Sequence, residues 1–83
     1  MTLVKKAIDY LRVNGFKDEE IYTAFVIQTK FRPQPRIVDV VGLRSGHRIA
    51  IECGKTSRGY LDMIRPYFDE VLHYPFPNRK PYY

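Results

Sequence analysis

Residues 36–53, RIVDVVGLRSGHRIAIEC, consist of two apolar, β-branched runs separated by a Ser-Gly dipeptide. Runs of this composition are typical of β-strands, and the dipeptide Ser45-Gly46 is a hairpin turn signal. We therefore expect an antiparallel hairpin with strands over 36–43 and 47–53. A fold built on this chain must place that hairpin near its centre, because both runs are apolar enough to be buried.

Each strand of this hairpin carries one carboxylate where an apolar side chain is expected. With a two-residue turn, Asp39 lies directly opposite Glu52, and the side chains of such a pair point to the same face of the sheet. Like charges at this spacing destabilise a sheet, so something must compensate for them. A divalent cation such as Mg²⁺, which prefers oxygen ligands, explains the pair. Ion pairs with Arg36, Arg48 or Lys55 explain it equally well.

The remaining segments predict two helices and two further strands around the hairpin. We expect a helix over 2–13, a first strand from Ile21 to Phe31, a second helix capped by Thr56 or Ser57, and a last strand from Glu70 to Tyr74. The predicted fold class is α/β in the order αβββαβ. It has a mixed sheet with a central β-hairpin flanked by the two helices.

The length of 83 residues predicts one domain over 1–83, with a core at about 3–74 and a Pro-rich, aromatic and basic tail at 75–83. The 14 Lys and Arg against 9 Asp and Glu give a net charge of +5, which favours polyanionic partners. The single cysteine, Cys53, excludes an intrachain disulfide and favours a reducing, cytoplasmic location. The sequence contains no apolar run of the roughly 18 residues that a membrane span needs, so we expect no membrane association.

The hairpin acids, the lysine after them and the αβββαβ order resemble the PD-(D/E)XK nuclease superfamily, which has the restriction-endonuclease-like fold. The segment DVVGLRSGHRIAIECGK is similar to the archaeal Holliday junction resolvase and RecB-like nuclease branches. The resemblance covers roughly residues 3–74. It implies an endonuclease that binds DNA and hydrolyses phosphodiester bonds with Mg²⁺ or Mn²⁺ during recombination, repair or replication.

The resemblance also implies roles for particular residues. Asp39 and Glu52 would hold the metal together with the backbone carbonyl of Cys53, and Asp9 in the first helix is a further candidate ligand. The family pattern places a lysine two residues after the second acid, whereas here Gly54 occupies that position and Lys55 follows it. Lys55 would be the catalytic lysine if the chain bends at the glycine.

Six basic residues are candidates for binding nucleic acid, because cationic groups beside a metal centre suit a phosphodiester. They are Lys30, Arg32, Arg36, Arg44, Arg48 and Arg58. The alternative is a dispersed, solvated basic surface.

We also expect a homodimer, because two helices are too few to cover both faces of the sheet and the C-terminal segment is rich in Tyr and Phe. The candidate interface residues are Tyr67, Phe68, Leu72, Tyr74 and Phe76. Two alternatives to a nuclease stay open. One is a DNA-binding or assembly module that keeps the fold without turnover, and the other is a small structural or protein-interaction domain.

Overall fold

The structure, a computed structural model, describes residues 2–30 and 32–74. It contains two α-helices and one four-stranded mixed sheet, which confirms the predicted α/β class. In chain order the elements are α1 (Leu3–Val13), β1 (Ile21–Ile27), β2 (Arg36–Arg44), β3 (His47–Cys53), α2 (Arg58–Ile64) and β4 (Glu70–Tyr74). Two short 3-10 helices, Asp18–Glu20 and Arg65–Tyr67, precede β1 and follow α2.

The strands are arranged in the order β1-β2-β3-β4. The first three are antiparallel neighbours, and β4 runs parallel to β3 with α2 as the crossover between them. The central hairpin has the predicted two-residue turn, since Arg44 pairs with His47 and Gly46 adopts a positive φ of 79°. The hairpin is therefore the inner pair of strands, with β1 and β4 as the edges of the sheet.

Both helices begin at a side-chain cap. The hydroxyl of Thr2 accepts a hydrogen bond of 3.1 Å from the N–H of Lys5, and the hydroxyl of Ser57 accepts one of 3.0 Å from the N–H of Tyr60. Ser57 is thus the cap of α2, one of the two predicted candidates. Pro66 lies in the 3-10 segment that follows α2, where it ends the α-helix because it has no N–H to donate.

The strand β1 is shorter than predicted. It ends at Ile27, whereas we expected it to continue to Phe31, which lies outside the described residues.

Among the helices of residues 2–30 and 32–74, neither is long and apolar enough to cross a lipid bilayer.

The two faces of the sheet support two separate clusters of buried side chains. The α1 cluster comprises Ala7, Leu11, Phe16, Val40, Ile49, Ile51 and Leu72. The α2 cluster comprises Val38, Val41, Ala50, Leu61, Ile64, Phe68 and Val71. Each fully buried Leu, Ile or Val contributes roughly 1.5–3 kcal/mol relative to an exposed position, so both helices are held to the sheet by burial of apolar surface.

Side-chain alternation breaks once in β2. Val38 belongs to the α2 cluster and Val40 to the α1 cluster, although residues two apart in a regular strand share a face. In β1 the same break separates Ile21, which packs against the α1 cluster, from Phe25, which packs against the α2 cluster. Between them Ala24 adopts a positive φ of 48°. The two strands therefore change faces together while their pairing register is preserved.

Candidate functional site

The two central strands separate at the end of the sheet opposite the hairpin turn. Their ladder runs from the turn to the pair Val40 and Ile51 and then stops. Beyond that point β2 stays paired with β1, and β3 stays paired with β4 as far as Cys53 and Tyr74. We call the resulting opening, between residues 36–39 and 52–57, the fork. Asp39 and Glu52 stand on its two sides, one residue past the last pair.

Asp39 joins the two sides of the fork. Its Oδ2 atom accepts a hydrogen bond of 2.8 Å from the backbone N–H of Cys53. This N–H would otherwise lack the partner that a continued ladder provides, because the strands have separated. The carboxylate of Asp39 is half-buried and fixed in orientation by this bond.

Glu52 is the buried carboxyl of the fork, with only 5% of its surface exposed. Its Oε2 atom has no hydrogen-bond partner within the described part of the chain. Burial raises the pKa of Glu52 to about 8; the hydroxyl of Tyr60 opposes the rise, and the charge of Asp39 adds to it. A buried carboxyl oxygen without a partner is costly, and either a proton or a cation removes that cost.

A cavity of about 490 Å³ opens at the fork beside Glu52. Its other walls are formed by Pro35, Arg36, Ile37, Thr56, Ser57 and Tyr60. The guanidinium carbon of Arg36 lies 4.4 Å from the centroid of the Tyr60 ring, and the Tyr60 hydroxyl donates a 3.1 Å hydrogen bond to the carbonyl of Ile37. The cavity thus combines a buried acid, one cation and hydroxyl groups.

The residues of the fork suit a small divalent cation. Two carboxyl groups, Asp39 and Glu52, lie close enough for the charge of one to raise the pKa of the other. Mg²⁺ is commonly bound through one or two carboxylates, with waters and phosphate oxygens as further ligands. In residues 2–30 and 32–74 no group of three or more His, Cys, Asp and Glu side chains comes together, so two carboxylates are the side-chain ligands on offer. The backbone carbonyl of Cys53 stays a predicted third ligand.

The structure does not bring Asp9 to this pair. Its carboxylate forms ion pairs on the surface of α1, at 3.5 Å from Lys5 and 3.2 Å from Arg12. The physical reason is the helical spacing of these residues, which places them on one exposed side of the helix.

Lys55 follows the bend that the resemblance required. Gly54 adopts a positive φ of 79°, donates its N–H to the carbonyl of Tyr74 at 2.7 Å, and accepts a hydrogen bond from His73 through its own carbonyl. After this bend Lys55 is exposed, and it does not line the cavity, which is lined by the next two residues instead. The bend therefore exists without placing Lys55 beside the buried acid.

The six predicted nucleic-acid-binding residues are spread over the molecule. Arg36 lines the cavity, whereas Arg44 and Arg48 lie next to the hairpin turn. At roughly 3.3 Å per residue along β2, the backbone of Arg44 is about 26 Å from that of Arg36. Arg44 stacks at 4.2 Å over the ring of Phe16, and Arg48 forms a 3.3 Å ion pair with Asp69, whose pKa it lowers. The remaining three, Lys30, Arg32 and Arg58, are exposed.

Two of the predicted interface residues are buried inside the monomer, which corrects their assignment to an interface. Phe68 and Leu72 are only 8% and 1% exposed, because they fill the two clusters of the monomer. Tyr67 and Tyr74 are half-buried, with the Tyr67 hydroxyl accepting a 2.8 Å hydrogen bond from the N–H of Lys30. Phe76 lies outside the described residues.

Tyr60 is the site residue whose role the sequence did not predict. It lies in the first turn of α2, where it is half-buried and packs against the α2 cluster. Its contacts with Arg36 and Ile37, which are more than twenty residues away, carry no local sequence signal.

In comparisons with known proteins, no family model, no curated protein and no solved structure matches this chain.

Proposed function

We propose that this protein is a nuclease-like DNA-binding protein whose fork holds Mg²⁺ or Mn²⁺ and hydrolyses a phosphodiester bond there. The proposal rests on one observation above all. Glu52 is a buried carboxyl whose Oε2 atom has no partner in the described residues, and it lies beside a second carboxylate and a cavity. The resemblance to the PD-(D/E)XK superfamily, with its restriction-endonuclease-like fold, supports the same assignment.

The side chains of the fork have distinct tasks in this proposal. Asp39 and Glu52 would hold the cation from two sides, and the Cys53 hydrogen bond keeps Asp39 in place. The chemistry that a bound Mg²⁺ supplies is polarisation of the phosphate and a lower pKa for an attacking water. The cationic wall of the cavity would attract the phosphate and balance its charge.

The position of Lys55 favours a second candidate function, in which the protein binds DNA without cleaving it. A lysine that does not line the cavity is poorly placed to act on a water or a leaving group there. In that case the protein would be a DNA-binding or assembly module that keeps the metal site.

A cleavage assay tests the proposal and separates the two candidates. Wild-type protein would be incubated with linear, flapped and four-way-junction DNA in Mg²⁺, Mn²⁺ or EDTA. The Glu52→Gln variant is the control, because it keeps the shape of the side chain and removes its charge. We expect cleavage that needs the divalent ion and is lost in the variant. Binding with no cleavage under any condition would favour the second candidate.

DNA binding itself can be measured without turnover, with Ca²⁺ in place of Mg²⁺. We expect the affinity to fall as salt rises, because phosphate contacts release counterions. The double variant Arg32→Ala/Arg36→Ala should bind more weakly than the wild type. A lack of binding at low salt would contradict both the nuclease and the DNA-binding module, and would leave the structural or protein-interaction domain.

A further inference from the structure

We propose that Arg36, and not Lys55, is the cation that binds a phosphate group of the nucleic acid in the fork. This inference rests on the proposed function. In the family pattern a lysine has this role, whereas here we assign it to an arginine at the start of β2.

The first argument is position. Among the residues that line the cavity Arg36 is the basic one, so it is the cationic wall beside Glu52. Lys55, which follows the bend at Gly54, is exposed and does not line the cavity. A phosphate that lies in the cavity beside Glu52 therefore meets the guanidinium of Arg36 first.

The second argument is that Arg36 forms no close ion pair, although its charge acts on Glu52 across the cavity and opposes the rise of that carboxyl's pKa. No carboxylate in the described part of the chain forms an ion pair with Arg36 within 4.0 Å. Two other arginines differ in this respect, since Arg12 pairs with Asp9 and Asp18, and Arg48 pairs with Asp69. The guanidinium of Arg36 is therefore not held by a close carboxylate when an anion enters the cavity.

The third argument is that Arg36 is held in place. Its guanidinium stacks on Tyr60, and Tyr60 is fixed in turn by its hydrogen bond to the Ile37 carbonyl. A stacked guanidinium has lost much of its rotamer freedom before a ligand binds, and its planar N–H groups match two oxygens of a phosphate. The hydroxyls of Thr56 and Ser57 line the same cavity and provide further donors. Its volume of about 490 Å³ lies within the range of small-molecule sites, about 300–1,000 Å³.

The experiment is a titration with the dinucleotide dTpdT, which contains one phosphodiester group. Binding is monitored by ¹H–¹⁵N NMR with and without Mg²⁺. Arg36→Gln and Arg36→Lys would be compared with Lys55→Gln, the matched control that removes the neighbouring charge. We expect Arg36→Gln to weaken binding about tenfold or more, because a charge-assisted hydrogen bond is lost. Arg36→Lys should retain part of the affinity, and Lys55→Gln should change it by less than about twofold, as expected of an exposed charge.

The wild-type protein gives a second measurement that does not depend on a variant's folding. Its Arg36 Nε–H signal should shift on addition of dTpdT. An unshifted signal, an absence of dTpdT binding, or a loss of affinity in Lys55→Gln but not in Arg36→Gln would overturn the inference. A failure of the proposed function would give a different result. In that case dTpdT would still bind through Arg36, but neither Mg²⁺ nor the Glu52→Gln variant would change its affinity.

Discussion

The carboxylate of Asp39 takes the place of a strand as the hydrogen-bond partner of Cys53, with its Oδ2 atom 2.8 Å from the Cys53 nitrogen. This single contact spans the point where β2 and β3 separate. It explains why a charged residue stands in an apolar strand, because a shorter or apolar side chain could not accept that N–H. It also holds one carboxylate beside Glu52, where a cation would need it.

The Asp39 contact allows charge and hydrogen bonding to be separated by mutation. Asn at position 39 keeps an oxygen that can accept the Cys53 N–H but removes the charge, so Asp39→Asn should fold with nearly wild-type stability. Its affinity for Mn²⁺, measured by titration calorimetry, should fall about tenfold or more, because one of two charged ligands is lost. An unchanged affinity would show that Asp39 is not a ligand.

Asp39→Ala is the complementary variant. It leaves the Cys53 N–H without an acceptor, so we expect a loss of about 1–3 kcal/mol in the free energy of unfolding, measured by urea denaturation. A stability equal to that of Asp39→Asn would mean that water replaces the carboxylate at the fork without penalty.

Glu52 predicts an unusual pH dependence of stability. Its pKa is raised from 4.5 to about 8 by burial, so the folded state holds a proton that the unfolded state releases between these values. Without divalent ions, stability should therefore fall as pH rises from about 4.5 to 8, by at most about 1.4 kcal/mol per pH unit. Thermal melting at several pH values checks this. Glu52→Gln should flatten the profile, and added Mg²⁺ should stabilise the wild type more at pH 8 than at pH 5.

Ala24 is strained by its positive φ of 48°. A left-handed conformation costs an L-residue roughly 1–2 kcal/mol, whereas glycine adopts it freely but loses more entropy on folding. We expect Ala24→Gly to raise the free energy of unfolding by up to about 1 kcal/mol, and Ala24→Val to lower it. Urea denaturation of both variants tests the sign, and a stabilising valine would contradict the strain.

The homodimer stays a prediction, with a different candidate surface. Val26 and Ile37 pair across β1 and β2 and are 60% and 58% exposed, which makes them a better apolar contact than the buried Phe68 and Leu72. Sedimentation velocity at tens of micromolar should show a dimer for the wild type and a monomer for Val26→Lys. A wild-type monomer of 9.8 kDa would refute the dimer.

The hairpin and its register could be predicted because they depend on local chemistry. The Ser45-Gly46 turn fixes which residues face each other, and this placed Asp39 and Glu52 at the same end of the two strands. The turn cannot fix where the ladder stops, so the fork was not predicted. The position of the fork depends on the pairing of β2 with β1 and of β3 with β4. These pairings involve segments that are distant in sequence from the turn.

The residues around the acids were harder to predict for the same reason. Arg36 was one of six basic candidates of equal standing in the sequence, and only the crossover through α2 brings Tyr60 against it. Lys55 stands one residue beyond the position that the family pattern gives to the lysine, and the direction of the chain after Gly54 decided its exposure. Sequence order thus identified the acids and left the cation of the cavity undetermined.

The sheet that the two clusters share bears on how the molecule unfolds. Because all four strands contribute side chains to both clusters, we expect that neither helix can detach and leave the packing on the other face intact. The two layers should behave as one cooperative unit, with amide protons of α1 and α2 exchanging through a common global opening. Cooperativity in so small a domain would then depend on one sheet packed on both faces and on no disulfide between the layers.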